Sequence, residues 1–228
     1  MPTFVTEVET TWGSAVTPRT TGSFDVIAGD LLVIAAHKDE GTTTLGTPTN
    51  SGTAFTWTLQ QSVTVSTDHK MYVWTAIATA TQSMTVTGTQ SAATNPWGFS
   101  VTVFRNHGGV GTSVATTVAG SGAPTLNITT TRPASTVTVF VSDNNGIDSS
   151  SRTWRTNAGA LSETTNSQSI GTRVIYIGYH LDAGPIGTYA VGVSSPTGQS
   201  YHIITVEILA PHTKRPEFGS SLSGGIVQ

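Results

Sequence analysis

Apolar and polar residues alternate with a period of two along most of the chain, and the alternating runs end at Gly, Pro, Asn or Asp. A period of two places successive side chains on opposite faces of a β-strand. Runs with the longer period of an amphipathic helix are nearly absent. The pattern predicts an all-β protein whose short strands are separated by turns, which is typical of a sandwich or a barrel.

We predict fourteen strands in two series of seven. The first series is predicted at residues 4–10, 23–27, 31–37, 55–65, 70–78, 84–88 and 99–105. The second series is predicted at residues 113–118, 125–130, 136–142, 152–156, 173–180, 188–193 and 201–209.

The two series resemble each other at an offset of about 100 residues. Trp57 and Trp154 differ by 97 positions (154 minus 57), and Phe104 and Ile208 differ by 104 (208 minus 104). We interpret residues 1–108 and 109–210 as diverged halves of a duplication, although any two Val- and Thr-rich β segments align loosely. The halves can form tandem sandwiches or interleave. We favour one continuous body with residues 1–210, a jelly-roll-like antiparallel β-sandwich, because the connector at 107–111 is short.

The character of the chain changes after residue 210, where Pro211 ends the last predicted strand because proline cannot donate to a β-ladder. We predict that residues 211–228 form an extended C-terminal arm. Such an arm can add a strand to the exposed edge of a neighbouring sheet. Its candidate partner-binding residues are Pro211, Phe218, Leu222, Ile226 and Val227.

Charged residues make up 10% of the chain, against about 25% in an average soluble protein. The formal net charge is -3 and there is no basic cluster, so we expect neither a nucleic-acid nor a membrane partner. The chain has no cysteine, and its first residues lack the basic and apolar regions of a signal peptide. If the protein is found outside a cell, we therefore expect it to leave by lysis or within a particle rather than by secretion through a membrane.

Residue patterns that carry chemistry are not found. There is no cysteine nucleophile and no Gly-x-Ser-x-Gly turn, and the six histidines have no metal-binding spacing. The segment 143–148 lacks the final glutamate of a calcium loop, and its Asn and Asp residues are common in turns. We predict no enzyme activity, no catalytic, cofactor-binding or metal-binding residues and no cofactor, and we expect the five tryptophans to be core residues rather than a sugar platform.

Four segments of the first half carry a resemblance to a known family: 26–33 (VIAGDLLV), 55–59 (FTWTL), 72–76 (YVWTA) and 103–106 (VFRN). Together with 123–130 in the second half, they resemble a β-sandwich module of virion proteins from tailed bacteriophages, particularly phages of actinobacteria. Proteins of this family are capsid decoration, minor capsid or minor tail proteins. The resemblance covers roughly residues 22–210.

The resemblance implies a structural protein of a virion that is assembled in the host cytoplasm, and our leading hypothesis is a capsid decoration or minor capsid protein. Its expected partners are the major capsid protein or other virion proteins, with homo-oligomers on the particle. A second hypothesis is a tail- or fibre-associated carbohydrate-binding module that contacts a surface glycan. A third, a hydrolase domain, would require histidines and carboxylates that converge in a pocket.

Overall fold

The computed structural model describes residues 1–39, 41–65, 69–118, 122–144, 152–170, 173–195, 197 and 200–212, and these residues contain strands and turns but no helix. The strands of the first half are β1 (Thr3–Glu9), β2 (Arg19–Thr20), β3 (Phe24–Val26), β4 (Leu31–Lys38), β5 (Thr49–Asn50), β6 (Thr58–Val65), β7 (His69–Ile77), β8 (Gln82–Met84), β9 (Val86–Gly88) and β10 (Trp97–Arg105). Those of the second half are β11 (Val110–Val118), β12 (Thr125–Thr129), β13 (Thr136–Asn144), β14 (Thr153–Trp154), β15 (Leu161–Ile170), β16 (Arg173–His180), β17 (Thr188–Ser195) and β18 (Ser200–Ile208).

Two five-stranded antiparallel sheets form the centre of the molecule. The first large sheet has the order β1-β10-β4-β7-β6, and the second has the order β11-β18-β13-β16-β15. Smaller sheets, β2-β9-β5 and β3-β8 in the first half and β12-β17-β14 in the second, complete the fold. The all-β architecture of antiparallel sheets is therefore confirmed.

Three apolar layers hold these sheets together. One layer packs β4, β7 and β10 against the small sheets of the first half, through residues such as Val26, Ile34 and Met84. A second layer packs the two large sheets against each other. A third packs β13, β16 and β18 against β12 and β17. Each fully buried Val, Leu, Ile or Phe contributes about 1.5–3 kcal/mol.

The middle strands of the large sheets are buried on both faces. All eight residues of β4 are buried, as are eight of the nine residues of β10. This explains why the sequence of β4 reads as a continuous apolar run, LLVIAA, where a strand buried on one face would alternate.

The two halves do not interleave in the described part of the chain, because each sheet takes its strands from one half only. The large sheets have the same strand order, since β1, β10, β4, β7 and β6 correspond by position to β11, β18, β13, β16 and β15. The single interleaved sandwich is thus not formed. The jelly-roll connectivity and the origin by duplication stay predictions.

Several predicted strands differ from those observed. The predicted strand at 84–88 is two short strands, β8 and β9, which pair with different partners. Strand β15 was not predicted, because LSETTNSQSI is polar almost throughout. Among the described strands it pairs with β16 alone, at the edge of the second large sheet.

Candidate docking site beside Arg132

The first residue of the chain, the connector between the halves and the end of β18 lie at one end of the molecule. The Asn106 side-chain amide donates to the Met1 carbonyl over 3.2 Å. The connector then pairs with the chain beyond β18, because Gly108 N donates to Leu209 O at 2.7 Å and Leu209 N donates to Gly109 O at 2.9 Å. Residues from three distant parts of the sequence therefore form one surface.

Gly108 permits this close approach. A Cβ atom at this position would lie 2.5 Å from the Ala210 carbonyl oxygen and 2.2 Å from an Arg132 guanidinium nitrogen. Both distances are below those found between real side chains and their neighbours. A glycine is therefore required where the connector passes the end of β18.

An ion pair fixes the start of the connector. The Arg105 guanidinium donates two hydrogen bonds to the fully buried Asp30 carboxylate, at 2.7 and 2.8 Å. Burial by itself would raise the pKa of Asp30, but the hydrogen bond from Arg105 and the amide of Ile27 outweigh it, so the pKa of Asp30 is lowered. His107 continues this contact, with Nε2 placed 2.8 Å from Gly29 O.

A second buried carboxylate, Glu207, organises the loop on the other side. It accepts hydrogen bonds from the amides of Thr112 at 3.1 Å, Thr131 at 2.8 Å and Arg132 at 3.2 Å, and from the Thr131 hydroxyl at 2.8 Å. Burial alone would raise the pKa of Glu207, but these backbone bonds, together with bonds from Ser135 and Thr131, lower it. The carboxylate thus holds β11 and the loop before β13 against β18.

Arg132 projects from this ordered loop to the end of the described chain. Its guanidinium donates to the Ala210 carbonyl, and its other terminal nitrogen lies 3.0 Å from His212 Nε2. Beside it is a groove of about 400 Å³, which we call the Arg132 groove; its lining residues are Met1, Arg132, Pro133, Ala134, Ala210, Pro211 and His212. The groove combines apolar side chains with the cationic guanidinium of Arg132.

Of the predicted arm residues, only Pro211 is described. It is partly buried and lines the Arg132 groove. Phe218, Leu222, Ile226 and Val227 lie outside the described residues. The segment that contains them continues from His212, which is exposed at the mouth of the groove.

The tryptophans divide between the core and its edge. Trp74 and Trp97 are core residues, with 4% and 1% of their surface exposed, as predicted. Trp57 and Tyr72 are only partly buried at the margin of the first apolar layer, and the Tyr72 ring stacks on Trp74 with the centroids 5.1 Å apart. The Trp57 Nε1 atom is buried and makes no hydrogen bond to any residue that the structure describes. The sequence pattern did not distinguish these partly buried aromatic residues from fully buried ones.

Three histidines that are far apart in sequence meet between the large sheets. His37, His69 and His202 stack in a row, and we call this set the histidine row. All three lie near strand ends, and His37 and His202 are almost completely buried. No local motif links these residues, so only the packing of the sheets brings them together.

Among the described residues, no group of three or more His, Asp or Glu side chains is arranged to hold a metal ion. None of the described segments forms a helix that is long and apolar enough to cross a membrane. No known family model, curated protein or solved structure matches this chain.

Proposed function

We propose that the chain is a non-enzymatic structural protein of a bacteriophage virion, acting as a capsid decoration or minor capsid protein. The observation that supports this role is the Arg132 groove, an apolar groove with a cationic group beside Pro211 and His212, where the predicted arm begins. The buried carboxylates Asp30 and Glu207 make this end of the body rigid, so it can position a neighbouring molecule. The proposed partner is the major capsid protein or another copy of this chain on the particle.

The low charge of the chain fits a lattice component. Many copies of a decoration protein stand close together, and strongly charged surfaces would repel each other at such spacing. With 10 basic and 13 acidic residues, the chain carries little net charge. Contacts of this protein are then expected to rest on apolar side chains and hydrogen bonds, with a modest dependence on salt.

The test is co-sedimentation with assembled capsids that lack this protein. The full chain, a variant without residues 213–228 and a variant with residues 213–228 in scrambled order are compared at equal concentration. Both variants keep Pro211, His212 and the Arg132 contacts, so the body is intact. We expect the full chain to bind and both variants to lose at least tenfold in affinity, because the apolar residues of the arm no longer fit their pockets.

Equal binding by all three proteins would show that the arm is not needed for binding and that the body contacts the capsid. A Pro133→Glu variant, which adds a charge at the groove, would then show whether the groove itself is the contact. If neither the full chain nor any variant sediments with capsids, the decoration role is wrong.

A second candidate, a carbohydrate-binding module, is favoured by two aromatic side chains that are not fully buried. Trp57 and Tyr72 are partly buried and pack against the first apolar layer, so part of each side chain reaches solvent. Tyr and Trp are enriched at binding interfaces, and sugar C–H groups can stack on such rings. Binding on a glycan array that a Trp57→Ala change removes, while Trp12→Ala does not, would support this role.

A further inference from the structure

The histidine row lies in the interface between the two large sheets. The ring centroids of His37 and His69 are 6.3 Å apart with an interplanar angle of 13°, and those of His69 and His202 are 6.4 Å apart at 24°. Only 1% of His37 and 2% of His202 is exposed to solvent. The row thus joins β4 and β7 of the first sheet to β18 of the second.

Strand alternation places these side chains on the facing sides of the sheets. His37 shares its face of β4 with Leu31, Val33 and Ala35, which belong to the central apolar layer. His202 precedes Ile204 and Val206 on the corresponding face of β18. The row is therefore a polar continuation of the layer that holds the two halves together.

The near-parallel stacking also argues against a shared metal ion. Ring nitrogens lie in the plane of each imidazole, so stacked rings do not direct three nitrogens to one point, and the described residues contain no metal-binding group. Ser142 on β13 instead places its hydroxyl 3.1 Å from His37 Nε2. The arrangement is suited to hydrogen bonding and packing rather than to coordination.

Few charged groups face the row from the strands around it. Asp39, on the same face as His37, places Oδ1 2.5 Å from His69 Nδ1. On β10 the residue opposite His37 is Gly98, which the Trp12 ring covers, and Trp12 Nε1 donates to Glu9 at 2.9 Å.

The other described charged residues near the row lie on the opposite faces of their strands, away from the histidines. Lys38 and Lys70 each follow a histidine of the row, so their side chains leave the opposite face of the first large sheet. Asp143 follows Ser142 in the same way, so its side chain lies on the opposite face of β13. There its charge helps to raise the pKa of Tyr176 in the third apolar layer. Glu40 and Asp68 lie outside the described residues.

We propose that the histidine row is an acid-sensitive contact between the two large sheets. His37 and His202 are buried, with 1% and 2% of their surface exposed, and their ring centroids lie 6.3 and 6.4 Å from that of His69. A proton on His37 or His202 would therefore place a positive charge out of contact with water and against another imidazole ring. The folded chain resists that proton, while the unfolded chain accepts one on each exposed histidine.

The direction of the pH dependence follows from this difference. Exposed histidines of the unfolded chain take up protons below about pH 6.5. A histidine that stays neutral in the folded chain raises the unfolding constant roughly tenfold for each further pH unit. The stability from the row is thus present above that value and is lost as the pH falls. We therefore expect acid to weaken the packing between the two large sheets, where the row lies.

The first experiment is an NMR titration of the histidine ring protons in the unmodified full chain between pH 7.5 and 5. We expect the signals of His37 and His202 to stay unchanged until the protein unfolds. The same chain unfolded in urea supplies the reference titration curve of an exposed histidine. If His37 and His202 both follow that reference curve while the fold persists, the proposal is overturned.

The second experiment compares the urea unfolding of the wild type, His202→Gln and the exposed-site control His212→Gln at pH 7 and pH 5. Glutamine keeps hydrogen-bonding groups but binds no proton. We expect the increase in the unfolding constant from pH 7 to pH 5 to be about 30-fold smaller in His202→Gln than in the other two proteins. An increase that is equal in all three proteins overturns the proposal, and the titration decides if His202→Gln does not fold.

Discussion

Glu207 is the residue whose surroundings most directly link the fold to the Arg132 groove. The carboxylate is inaccessible to solvent and accepts four hydrogen bonds from Thr112, Thr131 and Arg132. A buried group with charge-assisted bonds of this kind contributes more than a neutral one, at about 1.5–3 kcal/mol per bond. Its loss should therefore affect both stability and the position of Arg132.

We expect Glu207→Gln to lower the free energy of unfolding by about 1–3 kcal/mol at pH 7, because the amide nitrogen cannot accept a hydrogen bond from a backbone N–H. The folded state lowers the pKa of Glu207, so its contribution is present above the unfolded value near 4.5 and is lost as the pH falls. The difference between wild type and variant should shrink between pH 7 and pH 4. Urea unfolding at both pH values measures it, with Asp25→Asn on the exposed face of β3 as the control.

At the scale of elements, the central layer between the large sheets determines whether the two halves act as one body. Phe140 on β13 is 1% exposed and packs in this layer with residues from both halves, including Val33 and Ile204. Contacts at the edges add to it: the Gln61 amide on β6 donates to Ser113 O on β11 at 3.0 Å, and the Phe4 and Tyr179 rings stack at 4.9 Å.

We expect Phe140→Ala to lower the free energy of unfolding by about 3–5 kcal/mol, because the cavity cannot be filled by two opposed sheets. Chemical unfolding followed by tryptophan fluorescence measures the change, since Trp12 lies at the edge of the same layer. Leu59→Ala on the edge strand β6 is the matched control, because Leu59 is 49% exposed and should change stability by less than about 0.5 kcal/mol. Equal losses in both variants would contradict the role of the layer.

The sequence predicted elements well where burial imposed a pattern. The run Leu31–Lys38 was recognised because both of its faces are covered. Strand β15 was missed because it lies at an edge and carries mostly Ser, Thr, Asn and Gln. The two-residue strands β2 and β5 were also missed, because pairing with β9, rather than any side-chain period, defines them.

The candidate sites were predicted less well than the strands, for a related reason. The end of the last strand before Pro211 was predicted because proline cannot continue a β-ladder, and the role of Pro211 in binding a partner stays a prediction. Arg132, Glu207 and Met1 were not found as one site, since their contact depends on the connector passing the end of β18. The histidine row likewise depends on how the large sheets face each other, and strand periodicity specifies faces but not which sheets meet.

At the scale of the whole molecule, the small and the large sheets differ in how easily water reaches their backbone amides. The small sheets lie on the outside and consist of strands with two to eight residues, and the two large sheets lie between them. Backbone amides in the middle of the large sheets can meet solvent only after a neighbouring sheet separates. The edge strands β1 and β15 are less protected, because one side of each has no paired strand among the described residues.

Double burial of β4 and β13 therefore sets an order for hydrogen–deuterium exchange. Amides around Val33 and Val139, which are inaccessible from both faces, should be the last in the chain to exchange, and their rates should report unfolding of the whole body. Amides of β3 and β12 in the small outer sheets should exchange earlier, at a rate set by local opening. The small outer sheets can therefore open and exchange their amide hydrogens, while the central amides of the large sheets keep theirs until the whole protein unfolds.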